Sequence, residues 1–298
     1  MKKIILLLFF AGLMISLLAE TEGDRGFQIL KIISGTSIAA QGGTGAFFSS
    51  DAFSFIENPC AGLMNKNTVL SMTQNYWIFD TTINSIAYLK SQGKSSFGIA
   101  YRYLDYGKID SYDDMGTNIG EFHPIDLNFI IGSGFRLTPD HYIGINLYGL
   151  YEKIDTASST GLSVDLGYTY LTPIRNLKIA AALKHLGITS KMNEENIELP
   201  ISSEISIIKK FSPKFAEISS ELKIIKHSDD DEMKAVLGIN AEYNKILNIR
   251  LGYKFNYDAE ELTTGFGIKI KKIIIDYAFI PFVEDINDVH MIGISYLF

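Results

Sequence analysis

Along GLSVDLGYTY, Leu162, Val164, Leu166, Tyr168 and Tyr170 fall on one side of an extended chain, and Ser163, Asp165, Gly167 and Thr169 on the other. LNIRLGYKF repeats the period, with Leu247, Ile249, Leu251, Tyr253 and Phe255 opposite Asn248, Arg250, Gly252 and Lys254. YIGINLYGLY, AVLGINAEY and LTTGFGIKI follow it, and so does the C-terminal MIGISYLF, where Ile292, Ile294, Tyr296 and Phe298 share a face. A period of two is the mark of a β-strand, whose side chains point alternately to opposite faces. The pattern predicts strands near 68–78, 82–91, 95–104, 125–136, 141–154, 161–171, 175–186, 200–210, 214–226, 233–244, 246–256, 261–271, 273–280 and 289–298. These are fourteen segments, most of them nine to fourteen residues long. Such lengths suit tilted strands crossing a bilayer better than the roughly five or six residues of strands in globular sheets.

The connections alternate in the same sense. One set is short: 91–94, 137–140, 172–176, 211–214, 244–245 and 271–272. The other is mostly longer: 105–124, 155–160, 187–199, 227–232, 257–261 and 281–288, with only the first, around Phe79 to Thr81, unexpectedly tight. The short set carries Lys94, Arg175, Lys214, Lys245, Lys271 and Lys272, whereas Asp and Glu dominate the long set. A soluble β-sandwich or propeller has no reason to sort length and charge in this way. A membrane barrel with short periplasmic turns and longer outer loops does, and closure satisfies every backbone hydrogen bond in lipid. The expected fold is therefore all-β, a transmembrane antiparallel barrel of about fourteen strands. Ile292, Ile294, Tyr296 and Phe298 would face lipid, the last two in an aromatic girdle.

Composition fits this picture. The chain has 16 Tyr and 19 Phe against 7 Pro, and a single cysteine, Cys60, so no intramolecular disulfide can form. A net charge of −7 gives no basis for binding nucleic acid. Residues 1–19 read as a secretory signal peptide: Lys2 and Lys3, an apolar run from Ile4 to Leu18, then Ala19. That implies export to the outer membrane and contact with its lipids.

Residues 20–67 do not alternate. They hold Gly35, Ala39, Gly42-Gly43, Ala46, Asp51-Ala52 and Asn58-Pro59, followed by Ala61-Gly62-Leu63. This order resembles the N-terminal segment of the FadL-like superfamily, which includes long-chain fatty-acid outer-membrane transporters and the smaller PorV/PorQ-type proteins. DYGKIDSYDDMGTNIGEF (105–122) resembles the long loop of the PorV/PorQ branch, and HMIGISYLF its last strand. A terminal Phe298 also resembles the signal by which outer-membrane proteins are recognised by the barrel assembly machinery. The resemblance implies three parts: a signal peptide (1–19), an N-terminal hatch inside the lumen (20–67) and a barrel (68–298). It implies a hatch that shifts to admit a hydrophobic molecule. The chain departs from the pattern at Cys60, inserted between Pro59 and Ala61. Its outer loops are small, which argues against an elaborate outer capture groove.

The chemistry of these residues yields further expectations. Gly42, Gly43, Gly45 and Ala46 permit close packing inside a barrel. Phe47, Phe48, Phe53 and Phe55 would either contact an apolar ligand or pack the hatch against the wall. Asp165, Lys234, Asn240, Glu242, Asn248, Arg250, Lys254 and Lys269 fall on the lumen phase. Arg250 or Lys254 could hold a carboxylate, or could instead pair with Glu242 and Asp165 in an ordinary polar lumen. No nucleophile, phosphate-loop, calcium-loop or zinc pattern survives inspection of its spacing, so neither catalysis, cofactor nor metal is expected. Three functions remain open: uptake of long-chain fatty acids or other hydrophobic small molecules, a PorV-like factor handling secreted proteins, and a general small-solute porin or structural barrel.

Overall fold

The computed structural model describes residues 26–213, 215–283 and 286–298; the leader expected over residues 1–19 lies outside the described residues. Sixteen strands occur in them: β1 (Val69–Tyr76), β2 (Thr82–Ser91), β3 (Ser95–Asp105), β4 (Ile109–Tyr112), β5 (Asn118–Phe122), β6 (Ile125–Arg136), β7 (His141–Ile154), β8 (Ala157–Leu171), β9 (Leu177–Thr189), β10 (Ser202–Phe211), β11 (Glu217–His227), β12 (Lys234–Tyr243), β13 (Leu247–Phe255), β14 (Leu262–Ile270), β15 (Ile273–Ile280) and β16 (Val289–Leu297). All but β4 and β5 join one antiparallel sheet that closes when β16 pairs with β1. Thus fourteen strands form the barrel, as the alternation predicted. Across the seam, Ser71 and Ser295 hydroxyls lie 2.7 Å apart, and the Phe298 amide donates to the Thr68 carbonyl at 3.0 Å.

The period of two decides which face meets what. On β13, Ile249, Leu251 and Phe255 are 53, 50 and 43 % exposed, whereas Arg250 and Lys254 between them are 6 and 5 % exposed. The closing strand behaves alike: Ile292, Ile294, Tyr296 and Phe298 are exposed, while Met291, Ser295 and Leu297 are buried. A largely apolar exterior around a closed ladder is stable in hydrocarbon and would aggregate in water.

The turns explain themselves locally. Phe79 and Asp80 both have positive φ, as do Asn244 and Lys245, the conformation of two-residue hairpin turns whose twist matches that of the flanking strands. The tight first outer connection is therefore a hairpin. One element escaped the sequence pattern: β4 and β5 form a separate ribbon within connection 105–124. Its residues are mostly exposed on both faces, so it has no apolar phase to betray it. Asp113 Oδ1 caps its turn, accepting the Met115 and Thr117 amides at 2.9 and 2.8 Å.

The core lies inside the barrel, between the wall and residues 27–64. Phe27, Phe53, Phe55 and Ile56 pack against Val69, Leu89, Ile130, Leu150 and Leu297 of the wall. The segment has only short helical turns, Gln28–Lys31, Thr36–Ala39, Ser54–Glu57 and Ala61–Met64, so its backbone depends on partners outside itself.

Candidate functional site

The glycines at 42 and 43 stop a helical turn. Gly43 N–H donates to the Ile38 carbonyl and Gly42 N–H to the Ala39 carbonyl, both at 3.0 Å, with Gly42 at φ +70°. This is a Schellman cap, in which the left-handed residue is strained for anything with a Cβ. Further on, Asn58 Oδ1 accepts the Cys60 amide at 2.9 Å while its Nδ2 donates to the Ala181 carbonyl of β9 at 3.2 Å. The Asn-Pro step is thus a turn tied to the wall, and Cys60 is buried beside it, its thiol pushed up to about 12 by burial.

The wall makes room for this segment with missing side chains. A Cβ at Gly98 would lie 2.6 Å from the Phe55 ring, and one at Gly144 2.6 Å from the Pro59 backbone. One at Gly252 would lie 2.5 Å from Gly42 N, and one at Gly265 2.6 Å from the Ala40 methyl. The wall also supplies hydrogen bonds to the segment's backbone. Arg102 donates to the Ile32 carbonyl (2.6 Å), Asn146 to the Phe55 carbonyl (2.9 Å) and Lys223 to the Gly43 carbonyl (2.7 Å). Glu221 accepts the Gly45 amide at 2.8 Å, and Glu152 accepts that of Phe27. Behind these ties runs an ionic ladder: Lys223–Glu204 at 3.3 Å, Glu204–Lys184 at 3.6 Å and Lys184–Glu57 at 3.6 Å. Buried charges persist only when paired in this way.

Above the segment, toward the long loops, lies a cavity of about 370 Å³. Leu30, Ile33, Trp77, Ile225 and Ile280 give it apolar surface; Lys31, Arg102, Lys184, Lys223, Lys234 and Lys254 give it cations, against Glu57, Glu204, Asp230 and Glu260. A second cavity of about 530 Å³ sits at the rim, between the β1–β2 turn and the exit of β3. Gln28, Ile32 and Trp77 line both. The small loops therefore do leave a rim hollow, built by Ile78, Phe79, Leu104 and Tyr106. Below the segment lies a cleft of about 30 Å³, and beside it, next to Glu57, Glu204 and Lys223, one of about 10 Å³.

The residues singled out in the sequence are dispersed by this arrangement. Phe47, Phe53 and Phe55 are buried and Phe48 is half-buried, and none of the four lines the outer cavity. Gly62 and Ala61 are buried close to β2 and β3, and Leu63 packs with Tyr142 and Cys60. Lys254 does line the outer cavity, pairing with Glu260 and lying 4.8 Å from the Tyr257 ring. Arg250 sits instead beside the lower cleft and pairs with Asp276 at 2.7 Å. Glu242 and Asp165 partner neither cation. Asp165 accepts the Tyr148 hydroxyl (2.5 Å) and the His185 amide (2.8 Å), at a bulge where β8 and β9 shift register and His185 has φ +63°. Asp51, within the segment, accepts the Phe53 amide at 3.0 Å, and burial raises its carboxyl to about 6, with Asp276 adding to the rise and Arg250 opposing it.

Arg102, Lys184, Glu204 and Lys223 were not singled out in the sequence. Their signal was available: each occupies the inward phase of an apolar strand, as Glu204 does between Ser203 and Ile205, and Lys223 between Leu222 and Ile224. A charge on the buried phase of a lipid-facing strand belongs to the lumen.

No family model and no curated protein matches this sequence. Solved structures do. The chain is similar to a monoaromatic hydrocarbon channel, a TodX deletion mutant (TM-score 0.63, 12 % identity, 88 % of this chain and 98 % of that one). It is similar to the toluene transporter TodX of Pseudomonas putida (0.61, 12 %, 94 % and 99 %). A Pseudomonas aeruginosa FadL homologue matches equally well (0.60, 9 %, 92 % and 99 %). The chain has the FadL-type barrel fold along nearly the whole length of these structures.

Proposed function

We propose that this protein is an outer-membrane channel for small hydrophobic molecules, with residues 20–67 as a plug that must shift for passage. One observation carries the reading: a cavity of about 370 Å³ faces outward while a cleft of about 30 Å³ lies on the far side of the segment between them, so passage requires that segment to shift. The barrels of similar fold include a toluene transporter and a FadL homologue, which supports transport rather than catalysis as the use of such a lumen.

The cavity favours an amphipathic cargo over a pure hydrocarbon. Trp77, Ile33 and Ile280 offer an apolar wall, while Lys31, Lys234 and Lys254, paired with Asp229, Asp230 and Glu260, would exchange one of those carboxylates for an acidic head group. A long-chain fatty acid fits both halves. Export by residues 1–19, and insertion by the assembly machinery through the strand ending in Phe298, belong to the same proposal. The enclosed lumen speaks against a general porin, and a PorV-like role in handling secreted proteins is the outcome to be distinguished.

The test uses Trp77, the chain's single tryptophan, which lines both outer cavities. Titrating detergent-solubilised protein with oleate should change its fluorescence saturably, and methyl oleate should bind more weakly. A flat response to oleate, methyl oleate and toluene alike, with a protein partner retained through purification, would sink the channel reading in favour of secretion.

A further inference from the structure

The outward face of the wall carries an anomaly at the seam. Two adjacent outward rows cross β16, β1, β2 and β3. The lower reads Ile294, Met72, Ile86, Tyr101; the next, nearer the outer rim, reads Ile292, Gln74, Asn84, Tyr103. Gln74 and Asn84 are directly opposed cross-strand partners, both exposed, and neither carboxamide has a hydrogen-bond partner among the described residues. These side chains line an open depression of about 560 Å³ on the exterior, separate from the lumen cavities.

Hydrocarbon cannot satisfy an amide, and an unmet polar group in lipid costs several kcal/mol. Two carboxamides side by side, two residues below the rim at Tyr76 and Thr82, need an occupant with acceptors at that height and an apolar body beneath. The hollow is shallow and open; flexible acyl chains can follow its floor, whereas a second rigid barrel presenting the same depression would leave part of it unfilled. We propose that this depression binds one diacyl glycerophospholipid of the surrounding membrane. Its ester carbonyls accept hydrogen bonds from Gln74 Nε2 and Asn84 Nδ2, and an acyl chain lies along Met72, Ile86 and Ile294.

The full chain and its Gln74→Leu/Asn84→Leu double variant would be compared by native mass spectrometry in mild detergent, with the extracted lipids identified. Both changes face outward, so folding should survive, checked by heat-modifiable gel mobility. The wild type should retain one phospholipid, and the double variant about tenfold less, from the loss of two hydrogen bonds. The swap Gln74→Asn/Asn84→Gln should restore it, and Ile207→Ala, outward on β10 across the barrel, should leave it unchanged. Equal phospholipid on wild type and double variant, none on the wild type, or free fatty acid alone would overturn the proposal. A wild-type dimer that the double variant loses would overturn it in favour of barrel pairing.

Discussion

The two faces of one strand obey different rules. On β13, the outward Ile249 and Leu251 are about half exposed, and their shape matters little beyond being apolar. The inward Arg250, Gly252 and Lys254 meet defined atoms: Asp276, the Gln41–Gly42 backbone with Thr263, and Glu260 with the Tyr257 ring. Hydrocarbon is a solvent and tolerates exchange, whereas a packed interior punishes even one methyl group. Selection for function should therefore be written on the inward phase.

The largest test of this contrast is Gly252→Leu. Its side chain would occupy the space of Gly42, so the segment should leave its seat, at a cost of about 1–3 kcal/mol or more for overpacking. Planar-bilayer recordings should then show steady conductance where the wild type shows little. Next, Lys223→Ala strips Glu204 of one of its two buried partners, at a cost of up to about 3–5 kcal/mol, and leaves the Gly43 carbonyl unbonded. Hydrogen exchange over residues 36–48 should rise by orders of magnitude, with the barrel itself unchanged.

Third comes Asp51. Its carboxyl lies at about 6 in the seated segment against an ordinary 3.8. The seated state holds the proton more tightly, so seating strengthens as pH falls through about 6 and gains nothing further below about 4. By linkage the difference across that window is at most about 3 kcal/mol. Protease access to the segment should increase between pH 4 and 6.5 in the wild type, and Asp51→Asn should flatten the profile. Smallest is Leu251→Ile, outward on the same strand, which should shift stability by less than about 0.5 kcal/mol. A larger loss there than at Gly252 would reverse the comparison.

The barrel was legible because alternation needs no knowledge of neighbours: each strand declares its own phase. The partners of the lumen charges were not legible, because closure decides who lies opposite whom. Arg250 on β13 reaches Asp276 on β15, two strands away and across Gly267, where the absent side chain leaves the space for the ion pair. The four phenylalanines were ambiguous for a related reason. Whether a ring meets cargo or wall depends on which inward positions are glycine, as Gly98 and Gly132 are beneath Phe55.

The seam between β1 and β16 has a consequence for biogenesis. Ser71 and Ser295, which meet across it, are separated by 224 positions in the chain, so the ladder can close only at the end of a long search. The strands at that seam are also the ones that grip the early part of the chain. Ser71 accepts the Ala52 amide, Thr73 donates to the Ser34 carbonyl, and Gly293 leaves space for Thr36. A finished cylinder offers no route for threading some forty residues past those contacts. The expected order is therefore interior first and seam last, with the enclosed segment offering the final strand its contacts in one register.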